Sequence, residues 1–215
     1  MSLRTRSLTV LALGGLFAAL LVSAIAAPVP AAVAPAPAAL APAAAPTPFE
    51  VDGVHSSVIF RIQHMGVSYF HGRFNSIQGL ITLDAENPAG SSVELTIAAE
   101  SVDTNNGKRD DHIRSPDFLN ASEFPEIKFK SDSVKALGDK SFEVAGQLTL
   151  HGETKPLTVK VEQTGLAKNS RGEGQIAGFE TTFTVKRSDF GMDQMLDALG
   201  DEVRLTVAVE ARSST

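Results

Sequence analysis

The sequence predicts an all-β fold, an eight-stranded antiparallel up-and-down barrel with a short helical insertion after the third strand. Three observations predict it. Beyond residue 49, apolar side chains recur at every second position in eight separate stretches, the period of half-buried strands. Turn-forming Gly, Asp, Asn and Ser mark the breaks between them. Most breaks are short, and a meander of this kind that closes on itself leaves no unpaired edge.

Val58, Phe60 and Ile62 define the first strand. The second covers 74–83, with Ile77, Ile81 and Leu83 in phase, and Val93, Leu95, Ile97 and Ala99 mark the third. Ile127 and Phe129 mark the fourth, and Phe142, Val144, Leu148 and Leu150 the fifth. A turn at 151–156 leads to the sixth, Leu157, Val159 and Val161. Phe179, Phe183 and Val185 give the seventh; Val203, Leu205, Val207 and Val209 give the eighth. Two connections are long, 104–125 and 188–201, and connections of that size are more often functional than neutral. The first should hold a short helix near 108–114. In the second, Met192, Met195, Leu196 and Leu199 have the spacing of one face of a helical turn near 193–199, packed over the barrel end.

The N-terminus reads differently. Arg4 and Arg6 precede an apolar run at 8–22 and the small-x-small triplet Ala24-Ile25-Ala26, the pattern of an export signal over residues 1–26. The run of 15 residues is shorter than the ~20 that span a bilayer, which favours cleavage after Ala26 over a retained anchor. Residues 27–48 are almost all Ala and Pro, a semi-extended linker, and the barrel domain occupies 49–215. The chain is therefore expected to be periplasmic or secreted.

Without the signal, 17 basic residues face 25 acidic ones, a formal charge of −8. Such a surface repels polyanions and argues against nucleic acid as a partner. Cysteine is absent, which excludes disulfides, thiolate metal sites and a cysteine nucleophile.

Side chains two apart on a strand share a face, so parity shows which polar residues point inward. His64 continues the first strand's apolar set, Asp103 the third's through Ser101, and Arg187 the seventh's. Odd strands of an up-and-down barrel run the same way, so these three share a rim. Both long connections leave from it and bring Arg109, Asp110, Asp111, His112, Asp189 and Phe190. Two readings stay open: a mouth that grips a ligand's head, or a plug in which Arg and Asp pair to tie down a loop.

Inside, Phe60, Ile62, Leu95, Ile97, Phe129, Leu148, Phe179 and Phe183 would line a tail channel, with Phe118 and Phe190 packing from the long loops. Eight strands enclose either packed side chains or room for one small ligand. Composition barely separates the two, though small inward candidates such as Ala99, Ser101, Gly146 and Thr181 leave space beside the phenylalanines. Ten buried methylenes would contribute about 8 kcal/mol before ordering costs, so retention needs no chemistry.

Histidines 55, 64, 71, 112 and 151 include no helical pair four apart, and no metal site is expected. Asp110, Asp111 and His112 could be read as acid and base, but they stand beside Arg109 and Arg114, where ion pairing accounts for them. Gly172 and Gly174 fit a hairpin turn better than a phosphate cradle.

Five blocks in order resemble one family. They are VDGVHSSVIFRIQHMGVSYFHGRF (51–74), SVDTNNGKRDDHIRSPDFLNASEFPEIKFKS (101–131), GQLTLHGETKP (146–156), KRSDFGM (186–192) and GDEV (200–203). Together they are similar to the YceI-like, or polyisoprenoid-binding, domain across nearly all of 49–212. The resemblance implies a lipocalin-like barrel that binds isoprenoids or other long-chain amphiphiles in exported proteins. The likeness to lipocalins is architectural only, since their Gly-x-Trp signature needs a Trp that this chain lacks. The expectation is a lipid carrier and not an enzyme, without a cofactor unless a bound isoprenoid, quinone-like or fatty-acyl lipid is counted as cargo. His64, Asp103, Arg109, Asp110, His112, Arg187 and Asp189 would form its polar rim. Partners would be the lipid and, transiently, a membrane; a dimer is compatible with the sequence. Two alternatives remain, a small-molecule enzyme using Asp110 and His112, and a filled barrel serving as an interaction scaffold.

Overall fold

The computed structural model describes residues 45–214. The expected export signal and most of the expected linker lie outside the described residues.

Eleven strand segments form one sheet: β1 (Thr47–Val51), β2 (Ser57–His64), β3 (Ser68–Phe74), β4 (Ile77–Leu83), β5 (Ser92–Ala98), β6 (Val102–Asp103), β7 (Glu126–Gly138), β8 (Ser141–Leu150), β9 (Glu153–Lys168), β10 (Gln175–Lys186) and β11 (Leu199–Arg212). Three staves of the barrel are each built from two segments, so the eleven make eight staves. The pair β1 and β2 is broken where Asp52 accepts from Val54 N at 2.9 Å, a side-chain turn that interrupts the ladder. Asn75 and Ser76 separate β3 from β4, and a 3-10 turn at Ala99–Ser101 separates β5 from β6.

Each stave pairs antiparallel with the next, and β11 returns to β2 and β1, where Leu205 faces Phe60 and Arg212 faces Glu50. The sheet is thus a closed eight-stranded antiparallel barrel. Register places apolar residues opposite one another on the inner face: Val58 with Phe74 and Val207, Ile62 with Phe70 and Val203. Phe49, Val58 and Val102 are the largest fully buried side chains.

Strand direction sorts the connections. One end, called upper here, collects the β2–β3 hairpin, the segment from β6 to β7, the β8–β9 turn at His151 and the segment from β10 to β11. The α-helix among the described residues, α1 (Gly107–Arg114), lies in that second segment as expected. Asn106 caps it, its side chain accepting from Arg109 N at 3.1 Å.

Two expectations need correction. The barrel begins at Thr47, two residues before Phe49, because Thr47 and Pro48 pair with Leu83 and Thr82. The helical turn expected at 193–199 is reduced to a single closed turn, Leu199 N donating to Met195 O at 2.8 Å: the β10–β11 segment starts with a 3-10 turn at Arg187–Phe190, and Met192, Met195 and Leu199 face the barrel interior while Leu196 is exposed. Arg187 binds several carbonyls of this segment, which supplies the bonds a helix would otherwise provide.

Candidate functional site: an apolar cavity with a polar lip

The barrel is hollow. A cavity of about 530 Å³ runs through it, a volume within the range of small-molecule sites. Phe60, Ile62, Leu95, Ile97, Phe118, Phe129, Leu148, Phe179 and Phe183 all line it. The space exists partly because large inward residues face glycines. Gly72 lies opposite Phe60 in register, and a Cβ there would stand 2.7 Å from Phe60 Cε1. A Cβ at Gly146 would stand 2.8 Å from Phe129 Cζ. Each ring takes the wall volume that a facing side chain would claim, which leaves the lumen open.

Phe190 does not line the cavity. It is buried in the core, and its carbonyl oxygen lies 2.8 Å from His151 Nδ1, joining two upper connections. Its place in the chain, after the barrel strand and inside a 3-10 turn, lets it point into the packed end of the barrel instead of the lumen.

At the upper end α1 supplies the lip. Arg109, His112 and Ile113 stand three and four residues apart, one helical face, and all three border the cavity. The Arg109 guanidinium carbon lies 4.2 Å from the Phe70 ring centroid. Its Nε donates to Thr104 Oγ1 at 2.8 Å and its Nη2 to Thr104 O at 2.6 Å. His112 meets Phe118 edge-on, 5.0 Å between centroids, and its Nε2 lies 2.9 Å from Asp117 Oδ2. His64, at the end of β2, completes the lip.

The expected acids are not there. Asp110 is buried and accepts from Thr104 N at 2.9 Å and from Thr104 Oγ1, so it fastens the start of its own loop. It stands about 100° round the helix from Arg109, off the face that meets the lumen. Asp103 points outward because the 3-10 turn at Ala99–Ser101 shifts parity by one, and Val102 takes the inward place. Asn105 N at 2.9 Å, then Asn75 Nδ2 at 3.1 Å, donate to its carboxylate and hold its pKa below the usual carboxylate value. Asp189 is exposed in the turn after β10 and away from the cavity, its helical turn having rotated it outward.

Arg187 borders the cavity but serves as the plug. It is 3% exposed. Nε donates to Gly200 O, Nη1 to Met192 O and Gln194 O, and Nη2 to Leu199 O, at 2.7–3.0 Å. Burial lowers its pKa, with Asp201 and Asp193 opposing that shift. Asp201 in turn accepts from Ser188 N at 2.9 Å and Ser188 Oγ at 2.8 Å.

Sequence reasoning missed Phe70, Ile113, Leu119 and Met195 as lining residues. The hairpin register of Phe70 with Ile62 and the helical spacing of Ile113 from Arg109 were the signals that could have found the first two. It also missed a cluster at the β1–β2 break. Ligand atoms of Asp52, His55 and Glu210 lie within 4.8 Å of one another. Arg212 Nη2 sits among them, 2.6 Å from Asp52 Oδ2 and 3.1 Å from Glu210 Oε1, so a guanidinium already supplies the positive charge.

Comparison with known proteins agrees with this architecture. Residues 49–211 match the YceI-like domain. The UPF0312 protein of Pseudomonas aeruginosa (strain LESB58) is 44% identical over 167 residues, 78% of this chain and 86% of that protein. The crystal structure of the Campylobacter jejuni YceI protein is 28% identical with a TM-score of 0.63, covering 70% of this chain and 88% of the other. A polyisoprenoid binding domain from Saccharophagus degradans, 15% identical, shares the fold at a TM-score of 0.59 over 77% of this chain and 98% of its own. The match across the barrel domain establishes that this chain belongs to the YceI-like domain family.

Proposed function

We propose that the barrel holds one long-chain amphiphile, an isoprenoid, quinone-like or fatty-acyl lipid, and sequesters or ferries it in the periplasm or outside the cell. One observation carries this: a continuous apolar cavity of about 530 Å³ whose lip bears Arg109, His112 and His64. The tail fits the phenylalanine-lined lumen, where each methylene contributes about 0.8 kcal/mol. The head stays at the lip, where hydrogen-bond donors meet water. The fold shared with a polyisoprenoid binding domain supports the same reading. Export rests on the basic, apolar and small-residue pattern of residues 1–26.

The reading is of a carrier and not of an enzyme. An enzyme built on Asp110 and His112 would need them to converge, whereas Asp110 is engaged by Thr104 and His112 by Asp117. A filled scaffold would need a solid interior in place of the hollow.

Native mass spectrometry of protein purified from its own host tests the proposal. The expected result is a mass for a chain starting at Ala27 plus an apolar adduct that organic solvent extracts. Protein free of adduct that also fails to take up a fluorescent fatty acid would overturn it.

A further inference from the structure

Two upper connections carry large apolar side chains into solvent beside the mouth. Val67 is 83% exposed, Met65 60%, Leu196 45% and Met195 42%. Met65 and Val67 stand on the β2–β3 hairpin; Met195 and Leu196 stand on the segment before β11. The two connections are joined, Met65 N donating to Ala198 O at 2.7 Å. Met65 and Met195 both have left-handed backbones, with φ of 52° and 59°, a conformation that disfavours residues bearing a Cβ.

We infer that this crest is a docking surface for a lipid bilayer, through which cargo enters the barrel; the inference rests on the lipid-carrier reading. Continuity carries it. Met195 is at once part of the exposed crest and part of the cavity wall, and His64, Ser68 and Leu199 from the same two connections also border the cavity. An apolar path therefore leads from the outer surface to the lumen. A long-chain lipid resides in membranes, and crossing open water would expose every methylene of its tail. Contact at the crest removes that crossing.

Charge and side-chain type narrow the surface. Asp193 and Asp197 flank Met195 and Leu196, so the crest is not built for anionic headgroups. Nearby on the outer face of the β2–β3 hairpin, Tyr69 is exposed and the Arg61 guanidinium carbon lies 4.0 Å from its ring centroid. A tyrosine with a long cationic side chain suits the headgroup level of a bilayer, where one end of each is apolar and the other wet. The matching probe is a zwitterionic vesicle.

The experiment uses delipidated protein and phosphatidylcholine vesicles carrying a pyrene-labelled fatty acid, with flotation for docking and fluorescence for loading. The wild type should float with the vesicles and load. Val67→Asp with Leu196→Asp, both outside the cavity wall, should weaken flotation and slow loading from vesicles by at least about tenfold. The same variant should take up the fatty acid from detergent micelles as the wild type does, which also shows that it folds. Phe183→Arg should float normally yet load from neither source. If Phe183→Arg loads, the cavity reading fails while the flotation comparison still decides docking. Equal flotation and loading by wild type and the double aspartate variant would overturn the inference. So would a wild-type dimer that the double variant converts to monomer, since the crest would then belong to a second copy of the chain.

Discussion

The ring of Phe60 lies against Gly72, its partner directly across β2 and β3, so closely that a methyl group on Gly72 would stand 2.7 Å from Cε1. Gly72→Ala should therefore force the ring toward the lumen and cost about 1–3 kcal/mol of stability. Urea unfolding checks this. Adding Phe60→Leu to Gly72→Ala should recover part of the loss, because the two positions share one volume. An additive double variant would show that the contact does not matter.

Phe183 borders the cavity toward the upper end of β10, opposite Leu205. Phe183→Arg places a charge in the path of the tail, and the cost of desolvating it opposes a bound lipid. Lipid uptake should be abolished, read by mass spectrometry after native purification. An unchanged lipid complement would remove the basis for a tail channel.

Arg187 donates to four backbone carbonyls, Met192 and Gln194 ahead of β11 and Leu199 and Gly200 at its start. Arg187→Met should cost about 3 kcal/mol or more, since buried acceptors lose their donors. Lysine offers a single ammonium in place of the planar fork, so Arg187→Lys should restore only part of the stability. Hydrogen exchange at residues 192–200 should rise in both variants, more in the first.

The Ser188 backbone N–H, assisted by the Ser188 hydroxyl and by Arg187, holds the Asp201 carboxyl below its ordinary pKa of 3.8, against an opposing effect of burial. A carboxylate with a depressed folded pKa contributes stability that is present above its unfolded value and lost as pH falls through the folded value. Asp201→Asn should therefore be less stable than wild type at pH 7, with the gap narrowing below about pH 4. Thermal melts from pH 7 to pH 2 measure it; a gap that stays constant with pH would contradict this assignment.

The strand pattern was legible because one inner face repeats every second residue, as in Val58, Phe60 and Ile62, and no local device disturbs it there. Parity failed where the backbone broke its period. Nothing in the residues Ala99 to Ser101 announces a 3-10 turn, and extrapolating through it turned Asp103 inward when Val102 holds that place. The lip was partly legible, since Arg109 and His112 share a helical face. Asp110 leaves the lip because adjacent helical residues point about 100° apart, a step that a run of charged residues does not reveal. For Arg187 the sequence located the side chain but left its partners undecided, as carbonyl acceptors carry no residue identity. The exposed crest at Met65 and Val67 is not legible in the sequence, because isolated apolar residues in a hairpin turn are ordinary until their neighbours in space are known.

The two long upper connections, from β6 to β7 and from β10 to β11, are secured to main-chain oxygens, the second by Arg187 and the first by Arg114, which donates to Glu100 O at 2.7 Å and Val102 O at 2.9 Å. Arg187 also borders the lumen, whereas Arg114 does not, and both hold the entrance through backbone oxygens. A mouth pinned in this way would keep one shape whether the lumen is full or empty. On the proposed carrier reading, net transfer would follow the difference in lipid activity between donor and acceptor, and direction would be imposed by whichever compartment consumes the cargo.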